Sequence, residues 1–131
     1  MPYVWHTRVY YEDTDAAGLV YYANYLKYLE RARTEFLRSL GFEQDVLQRE
    51  HGVVFVVRRM LIDYLAAARF NEMLNATVQI ERARRARIDF LQTVTRADEL
   101  CCTAEVQIAC VDLTARRPCA IPKAITEELT A

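Results

Sequence analysis

Four consecutive segments after residue 52 have the composition of β-strands, whereas only one long segment before them has a helical period. The four segments alternate in polarity and are rich in β-branched residues; they span residues 53–64, 73–83, 86–97 and 101–113. Residues 4–10 supply a fifth predicted strand. A doubly wound parallel sheet needs a crossover helix for nearly every strand. The pattern therefore predicts an antiparallel sheet whose last three strands form a meander.

The helical segment lies between two of the three glycines, Gly18 and Gly41. Its spacing predicts one helix of about five turns, and Gly41 suits the left-handed position that ends a helix. The predicted apolar stripe is Tyr22, Tyr25, Leu26, Leu29, Ala32, Phe36, Leu37 and Leu40. The predicted polar face is Lys27, Glu30, Arg31, Arg33, Thr34 and Glu35, with Arg31 and Glu35 spaced as a solvated pair. Because an antiparallel sheet must cover one apolar face, we predict an α+β fold in which five strands wrap this helix.

Length and charge narrow the class of protein. At 131 residues the chain is long enough for a single domain, 1–131. A net charge of −1 gives no bulk electrostatic reason to expect nucleic acid or membrane partners. The first residues show no signal peptide, and no apolar run is long enough to insert in a membrane. We expect a cytoplasmic protein, with an irregular tail over residues 116–131.

Cysteine and histidine spacing argues against a metal centre. The four cysteines form no CxxC pattern, and neither histidine lies near a cysteine. The cysteines are predicted to be reduced and mostly buried, and we expect no cofactor or metal. The chain also lacks a GxSxG motif, which counts against an α/β-hydrolase.

Acidic residues precede the predicted helix. Glu12, Asp13 and Asp15 are followed by Gly18. Amides in the first turn of a helix lack intrahelical acceptors, so they could stabilise a negative acyl oxygen while a carboxylate attacks from the other side. From these residues alone, a helix cap made by Asp13, Thr14 or Asp15 is the favoured interpretation.

The run Asp-Ala-Ala-Gly-Leu-Val-Tyr-Tyr, residues 15–22, closely resembles the opening of thioesterases of the 4-hydroxybenzoyl-CoA thioesterase family. The resemblance continues through residues 24–42, 56–74 and 104–123, and is greatest to the bacterial branch associated with the Tol-Pal envelope system. It covers nearly the whole chain.

The resemblance implies a hotdog fold, assembled as homodimers or homotetramers, that hydrolyses acyl-CoA at the dimer interface. By this resemblance Asp15 is the catalytic nucleophile or general base. The backbone amide of Tyr22 polarises the thioester carbonyl, and Gly18 allows close approach to the substrate. Many members of this branch carry histidine where this chain has Tyr22, which puts any side-chain contribution at that position in doubt.

Arginines are the candidates for binding the phosphates of CoA. Four of them surround a predicted strand turn, where several guanidinium groups could meet one phosphate; the simpler interpretation of each is a solvated surface residue. The candidates are Arg58, Arg59, Arg82, Arg84, Arg85 and Arg87.

A second class of function is a binding module with vestigial hydrolysis. Such a module would dock acyl carrier protein, lipid-synthesis enzymes or Tol-Pal partners. An intact Asp15 and Gly18 favour the enzyme. A hotdog dehydratase would be expected to show a histidine-containing motif that this chain lacks.

Overall fold

An antiparallel sheet curls around one long helix in the structure, a computed structural model that describes residues 2–130. The two terminal residues of the predicted domain, Met1 and Ala131, lie outside the described residues. The strands are β1 (Tyr3–Arg8), β2 (Val53–Tyr64), β3 (Met73–Ala83), β4 (Arg87–Arg96), β5 (Glu99–Asp112) and β6 (Arg117–Pro118). The predicted strands are confirmed to within about two residues at each end.

The order of the strands across the sheet is β1-β3-β4-β5-β2, with the two-residue β6 beside β5. All pairs are antiparallel, and β3, β4 and β5 form the expected meander. The sheet thus has one short strand more than the five predicted. This curled antiparallel sheet around a central helix is the arrangement that defines the hotdog fold.

The central helix, α1, spans Asn24–Ser39. Gly41 has φ +95°, and the Phe42 amide donates to the carbonyl oxygen of Leu37 at 3.0 Å, so the helix ends as predicted. The predicted polar face is wrong at Arg33, which is only 8% exposed. Glu35 pairs with Arg38 rather than with Arg31.

Two short helices were not predicted from the sequence. Helix α2 spans Gln44–His51, and Gly52 ends it with φ +67°. Helix α3 spans Lys123–Leu129, so the tail is not irregular as expected. Helices of seven or eight residues show too few turns for an apolar period to stand out.

Helix α1 lies mainly over β1, β3 and β4, and its buried residues form one core with the inner face of the sheet. Strand β2 forms one edge of the sheet and is less covered. Five large apolar side chains on and just after β2 are exposed: Val56, Val57, Leu61, Tyr64 and Leu65. Within residues 2–130, no helix is long and apolar enough to cross a membrane.

Candidate active site

Asp15 lies in a tight hairpin that precedes α1. Thr14 and Val20 form an antiparallel bridge, and the Gly18 amide donates to the carbonyl oxygen of Asp15 at 3.0 Å. Gly18 has φ +78°, a backbone conformation that other residues adopt at a cost. The Oδ1 atom of Asp15 accepts hydrogen bonds from the amides of Ala17 at 2.9 Å and Leu19 at 3.2 Å. The hairpin therefore fixes the orientation of the Asp15 carboxylate through one of its two oxygens.

The second oxygen of Asp15, Oδ2, has no hydrogen-bond donor or cation within the described part of the chain. The side chain is exposed. A carboxylate held by one oxygen presents the other to an incoming group, which is the geometry that a nucleophile or a general base needs.

Asp13 joins this hairpin to α1. Its carboxylate accepts from the amide of Tyr10 at 2.9 Å, and its carbonyl oxygen accepts from the amide of Tyr21 at 2.9 Å and from Nδ2 of Asn24 at 2.8 Å. Asn24 is the first residue of α1 and is buried. The position of the hairpin is therefore fixed relative to the start of the helix.

The cap interpretation of the acidic residues is wrong for α1. The N-cap position is Ala23, and no side chain caps this end. Asp13 instead caps the 3₁₀ turn over Tyr11–Asp13. The Asp15 carboxylate accepts hydrogen bonds from two amides of its own hairpin, so it stabilises that turn rather than the helix.

Tyr22 is two residues beyond the Thr14–Val20 bridge. Its amide has no acceptor among residues 2–130, whereas the Asn24 amide donates to Tyr21 at 2.8 Å. The Tyr64 hydroxyl donates to the carbonyl oxygen of Tyr22 at 3.1 Å. Burial raises the pKa of Tyr64, so its hydroxyl stays protonated and remains a donor. One unpaired amide thus lies in a backbone segment that is fixed on both sides.

The Tyr22 side chain is 60% exposed and packs beside two other aromatic rings. Its ring centroid is 4.8 Å from that of Tyr21 and 6.0 Å from that of Tyr64. These contacts order the Tyr22 ring.

The arginine cluster lies at the turn between β3 and β4. Arg84 and Arg87 both pair with Asp89, at 3.5 Å and 3.0 Å between Nε and a carboxylate oxygen. Arg82 and Arg85 are exposed and have no carboxylate within 4.0 Å in the described chain. The carbonyl oxygen of Arg85 accepts from the amide of Ile121, which ties the turn to the tail.

The remaining two arginine candidates lie on β2. Arg58 donates to Oε1 of Gln107 at 2.8 Å, and Arg59 is exposed beside the bulge between Val57 and Arg59. Neither is part of the β3–β4 turn.

Asp15 and the arginine turn lie at opposite ends of the sheet. The Asp15 hairpin contacts Ala68 and Arg69, just before β3 begins, and the arginine turn follows the end of β3. Eleven residues of extended strand span about 35 Å. One chain therefore does not bring Asp15 and the arginine turn together.

Three of the four cysteines are buried, as their positions on β5 predicted. Burial raises the pKa of Cys102 and that of Cys110 to about 12, and the neighbouring Cys119 adds to the shift at Cys110. A thiol with so high a pKa carries very little thiolate near neutral pH, so neither is prepared for nucleophilic attack.

Three contributors to this region were not identified from the sequence: Asn24, Tyr64 and the carbonyl oxygen of Asp13. Asn24 lies two residues after the motif, and a polar residue near the start of an apolar stripe was the available signal. No sequence signal marked Tyr64, because its contact with Tyr22 joins residues 42 positions apart.

Comparison with known proteins identifies the family. Residues 9–129 match the model of the thioesterase-like superfamily. The chain is 45% identical over 118 residues to the acyl-CoA thioesterase YbgC of Haemophilus influenzae, covering 90% of this chain and 87% of that protein. It is 46% identical over 125 residues to the acyl-CoA thioester hydrolase YbgC of Escherichia coli O6:H1, covering 95% and 92%.

A crystal structure of a "Probable Thioesterase" from Bartonella henselae has the same fold. It superposes with a TM-score of 0.87 at 34% identity, covering 93% of this chain and all of that one. The expected hotdog fold is confirmed. Because the family model matches nearly the full length, and relatives above 40% identity cover most of both chains, the chain belongs to the thioesterase-like superfamily.

Proposed function

We propose that this protein hydrolyses acyl-CoA thioesters to free CoA and a carboxylic acid, with Asp15 as the nucleophile or general base. The observation that carries the proposal is the Asp15 carboxylate, which is held by the Ala17 and Leu19 amides through Oδ1 while Oδ2 stays free. The names of the relatives from H. influenzae and E. coli support the substrate class.

Two routes are consistent with this arrangement. In the first, Oδ2 of Asp15 attacks the thioester carbonyl carbon, CoA leaves as a thiolate that takes a proton, and water hydrolyses the resulting anhydride. In the second, Asp15 removes a proton from a water molecule that attacks the same carbon. In both, the amide of Tyr22 donates to the carbonyl oxygen as it becomes negative. A thioester lacks much of the resonance that protects an amide, so one carboxylate and one polarising amide suffice.

The assembly that we propose is a two-fold dimer along the free edge of β2. Two copies of β2 running antiparallel would bury the exposed apolar side chains of that edge. The β2 residue Val53 lies at the end of the sheet that carries the arginine turn, and Tyr64 lies at the end that carries the Asp15 hairpin. This pairing would therefore place the arginine turn of each chain beside the Asp15 hairpin of its neighbour.

Arg82 and Arg85 are the arginines of this turn that we propose to bind CoA phosphates. Both are exposed and unpaired among the described residues, whereas Arg84 and Arg87 already pair with Asp89. The turn lies two strand spacings, about 10 Å, from β2. An extended CoA molecule crossing the dimer interface would span such a distance.

A binding module that docks acyl carrier protein or Tol-Pal partners is the second candidate function. The exposed apolar edge of β2 favours it, because such an edge also suits a foreign partner. The two candidates differ in one respect: a docking module would not need the free Oδ2 of Asp15.

The experiment is a hydrolysis screen over short, medium, long and aromatic acyl-CoAs, read as thiol release by wild type, Asp15→Asn and Glu12→Gln. Glu12 is an exposed carboxylate three residues away and is the matched control. Activity that is lost only in Asp15→Asn supports the enzyme, and no release with any ester supports the docking module. A single turnover in ¹⁸O-labelled water separates the routes, because only the anhydride route can leave label in Asp15.

The cytoplasmic location that we propose is tested by cell fractionation.

A further inference from the structure

Arg33 is a buried cation between α1 and the sheet. Its side chain is on the inner side of the helix, 8% exposed, and Nη1 donates to Oε1 of Gln92 at 2.8 Å. Gln92 is 1% exposed, and its Nε2 donates to the carbonyl oxygens of Leu29 at 3.1 Å and Thr77 at 3.2 Å. Gln92 is thus fixed between helix and sheet, and it orients the guanidinium of Arg33.

No carboxylate lies within 4.0 Å of the Arg33 guanidinium among residues 2–130. A guanidinium has five N–H donors, and the contact with Gln92 engages one nitrogen. Burial lowers the pKa of Arg33 to about 10, so the group remains a cation near neutral pH. A buried charge without an ionic partner is unfavourable, and an anion that reached it would remove that penalty.

A cavity of about 110 Å³ adjoins Arg33. Thr34 and Gln44 contribute the neutral polar groups of its wall, and Nε2 of Gln44 donates to Oγ1 of Thr34 at 3.1 Å. A water molecule needs about 10–15 Å³ of such space, so the cavity has room for a small polar group and several more atoms. The rest of the wall is apolar and consists of Leu37, Phe55, Val57, Ile88, Phe90 and Ile108.

Glu30 is the acidic residue in the wall of the cavity. It is exposed, and its carboxylate accepts from the Thr34 hydroxyl at 3.4 Å. It does not pair with Arg33 within 4.0 Å, although its charge partly offsets the effect of burial on the Arg33 pKa. Glu30 therefore lies on the solvent side of the cavity and leaves Arg33 available on the inner side.

We propose that this cavity is a carboxylate-binding subsite, in which Arg33 binds a carboxylate carried on an apolar stem that contacts the apolar wall. Two sources share this chemistry. One is the distal carboxylate of an acyl group on CoA, which would make dicarboxylic acyl thioesters the favoured substrates. The other is a free carboxylic acid. Arg33 is nine residues beyond Asn24, about 14 Å along α1 from the end that carries the Asp15 hairpin.

The first arm of the test measures binding alone and does not rest on the proposed hydrolysis. Octanoate and octanamide, matched in length and differing in charge, are titrated into the wild-type protein by calorimetry. We expect octanoate to bind at least about tenfold more tightly, and Arg33→Met to abolish this preference while Arg33→Lys keeps part of it. Arg31→Met, an exposed arginine on the same helix, is the control and should bind as wild type does.

The second arm identifies the source of the carboxylate and rests on the proposed function. It compares kcat/KM for dodecanedioyl-CoA with that for dodecanoyl-CoA, because this extended chain is long enough to span the roughly 14 Å between Arg33 and the Asp15 end of α1. This ratio does not depend on the amount of folded enzyme. A ratio that falls at least about tenfold in Arg33→Met assigns the subsite to the acyl group. If Arg33→Met leaves this ratio unchanged while the wild-type protein binds octanoate as expected, the subsite is assigned to a free carboxylic acid. The absence of all hydrolysis would defeat the proposed function and leave the binding arm standing.

One further variant tests the proposal even if the Arg33→Met protein does not fold. Glu30→Gln removes a negative charge from the wall without touching Arg33, so octanoate should bind about twofold to fivefold more tightly than to wild type. Equal affinities of the wild-type protein for octanoate and octanamide would overturn the proposal, as would a charge preference that survives in a folded Arg33→Met protein.

Discussion

The hydroxyl of Tyr64 donates a hydrogen bond to the carbonyl oxygen of Tyr22 at 3.1 Å, so the last residue of β2 fixes the backbone just before α1. Removing this hydroxyl in Tyr64→Phe should cost about 1 kcal/mol of unfolding free energy, because the contact is a single neutral hydrogen bond. We also expect kcat for acyl-CoA to fall at least about threefold, because the Tyr22 amide that we propose to polarise the carbonyl becomes less well positioned. Urea unfolding and thiol release measure the two effects.

The matched variant is Tyr22→Phe, which keeps the backbone and the ring but removes the exposed hydroxyl. It should retain activity within about tenfold of wild type. A loss in Tyr22→Phe as large as that in Asp15→Asn would show that the Tyr22 hydroxyl takes part in the chemistry.

Asp15→Asn should reduce kcat at least about a hundredfold. The Asn Oδ1 atom can still accept from the amides of Ala17 and Leu19, so the hairpin and the melting temperature should change little. Turnover and differential scanning calorimetry on the same preparation test both statements. A variant that hydrolyses acyl-CoA at close to the wild-type rate would eliminate Asp15 as the reacting group.

Arg82→Ala and Arg85→Ala should each raise KM for CoA esters about threefold to tenfold with little change in kcat, because they would remove the phosphate contacts that we propose, remote from the thioester. KM should also rise with salt, since exposed ionic contacts are screened. Arg49→Ala, which breaks an exposed pair with Asp45 on α2, is the control. Equal KM values for CoA and dephospho-CoA esters at low salt would argue against a cationic partner for the 3′-phosphate.

The buried thiols predict how stability depends on alkaline pH. Burial raises the pKa of Cys102 and Cys110 from 9.0 to about 12 in the folded state. Between these values the unfolded chain releases thiol protons that the folded chain retains, so the unfolding free energy falls as pH rises from about 9 towards 12. Urea unfolding under reducing conditions should show a shallower fall for Cys102→Ala/Cys110→Ala than for wild type. Turnover per folded molecule should be the same in both.

The assembly should be a homodimer at minimum, and a tetramer is expected from the family resemblance. Light scattering coupled to size exclusion should give a mass of at least twice 15.2 kDa at micromolar concentration. Leu61→Arg on the exposed face of β2 should weaken the dimer and reduce activity together, because the proposed site needs both chains. Thr114→Arg, at an exposed position in the turn after β5, is the control. A fully active monomer would contradict the shared site.

The long elements were predictable from the sequence because their apolar periods extend over ten or more residues. Gly41 likewise marked the end of α1 correctly. The short helices α2 and α3 were not predicted, since neither has three full turns. Arg33 was predicted on the polar face because it is charged. Its spacing instead indicates the buried side, since it lies four residues after Leu29 and four before Leu37.

The candidate site also has a part that was predictable from the sequence and a part that was not. The motif around Asp15 and Gly18 is local, so sequence alone marked both residues, but the hairpin that holds the carboxylate was not predicted. The contacts that position it join distant residues, such as Asp13 with Asn24 and Tyr64 with Tyr22, and depend on the packed fold. The pairing of Arg84 and Arg87 with Asp89 is also a tertiary detail, and it distinguishes the free arginines from the occupied ones.

The strand order has a consequence for how the chain folds. Strands β3, β4 and β5 are joined by short turns and close with little loss of chain entropy, whereas β2 must find β5 across the intervening meander. The sheet is therefore expected to grow outward from its middle and to gain its two edge strands, β1 and β2, late. One of these late strands, β2, is the strand whose free edge we propose for the partner. Folding intermediates would then lack the proposed dimerisation surface, so a newly synthesised chain would not pair before its core has formed.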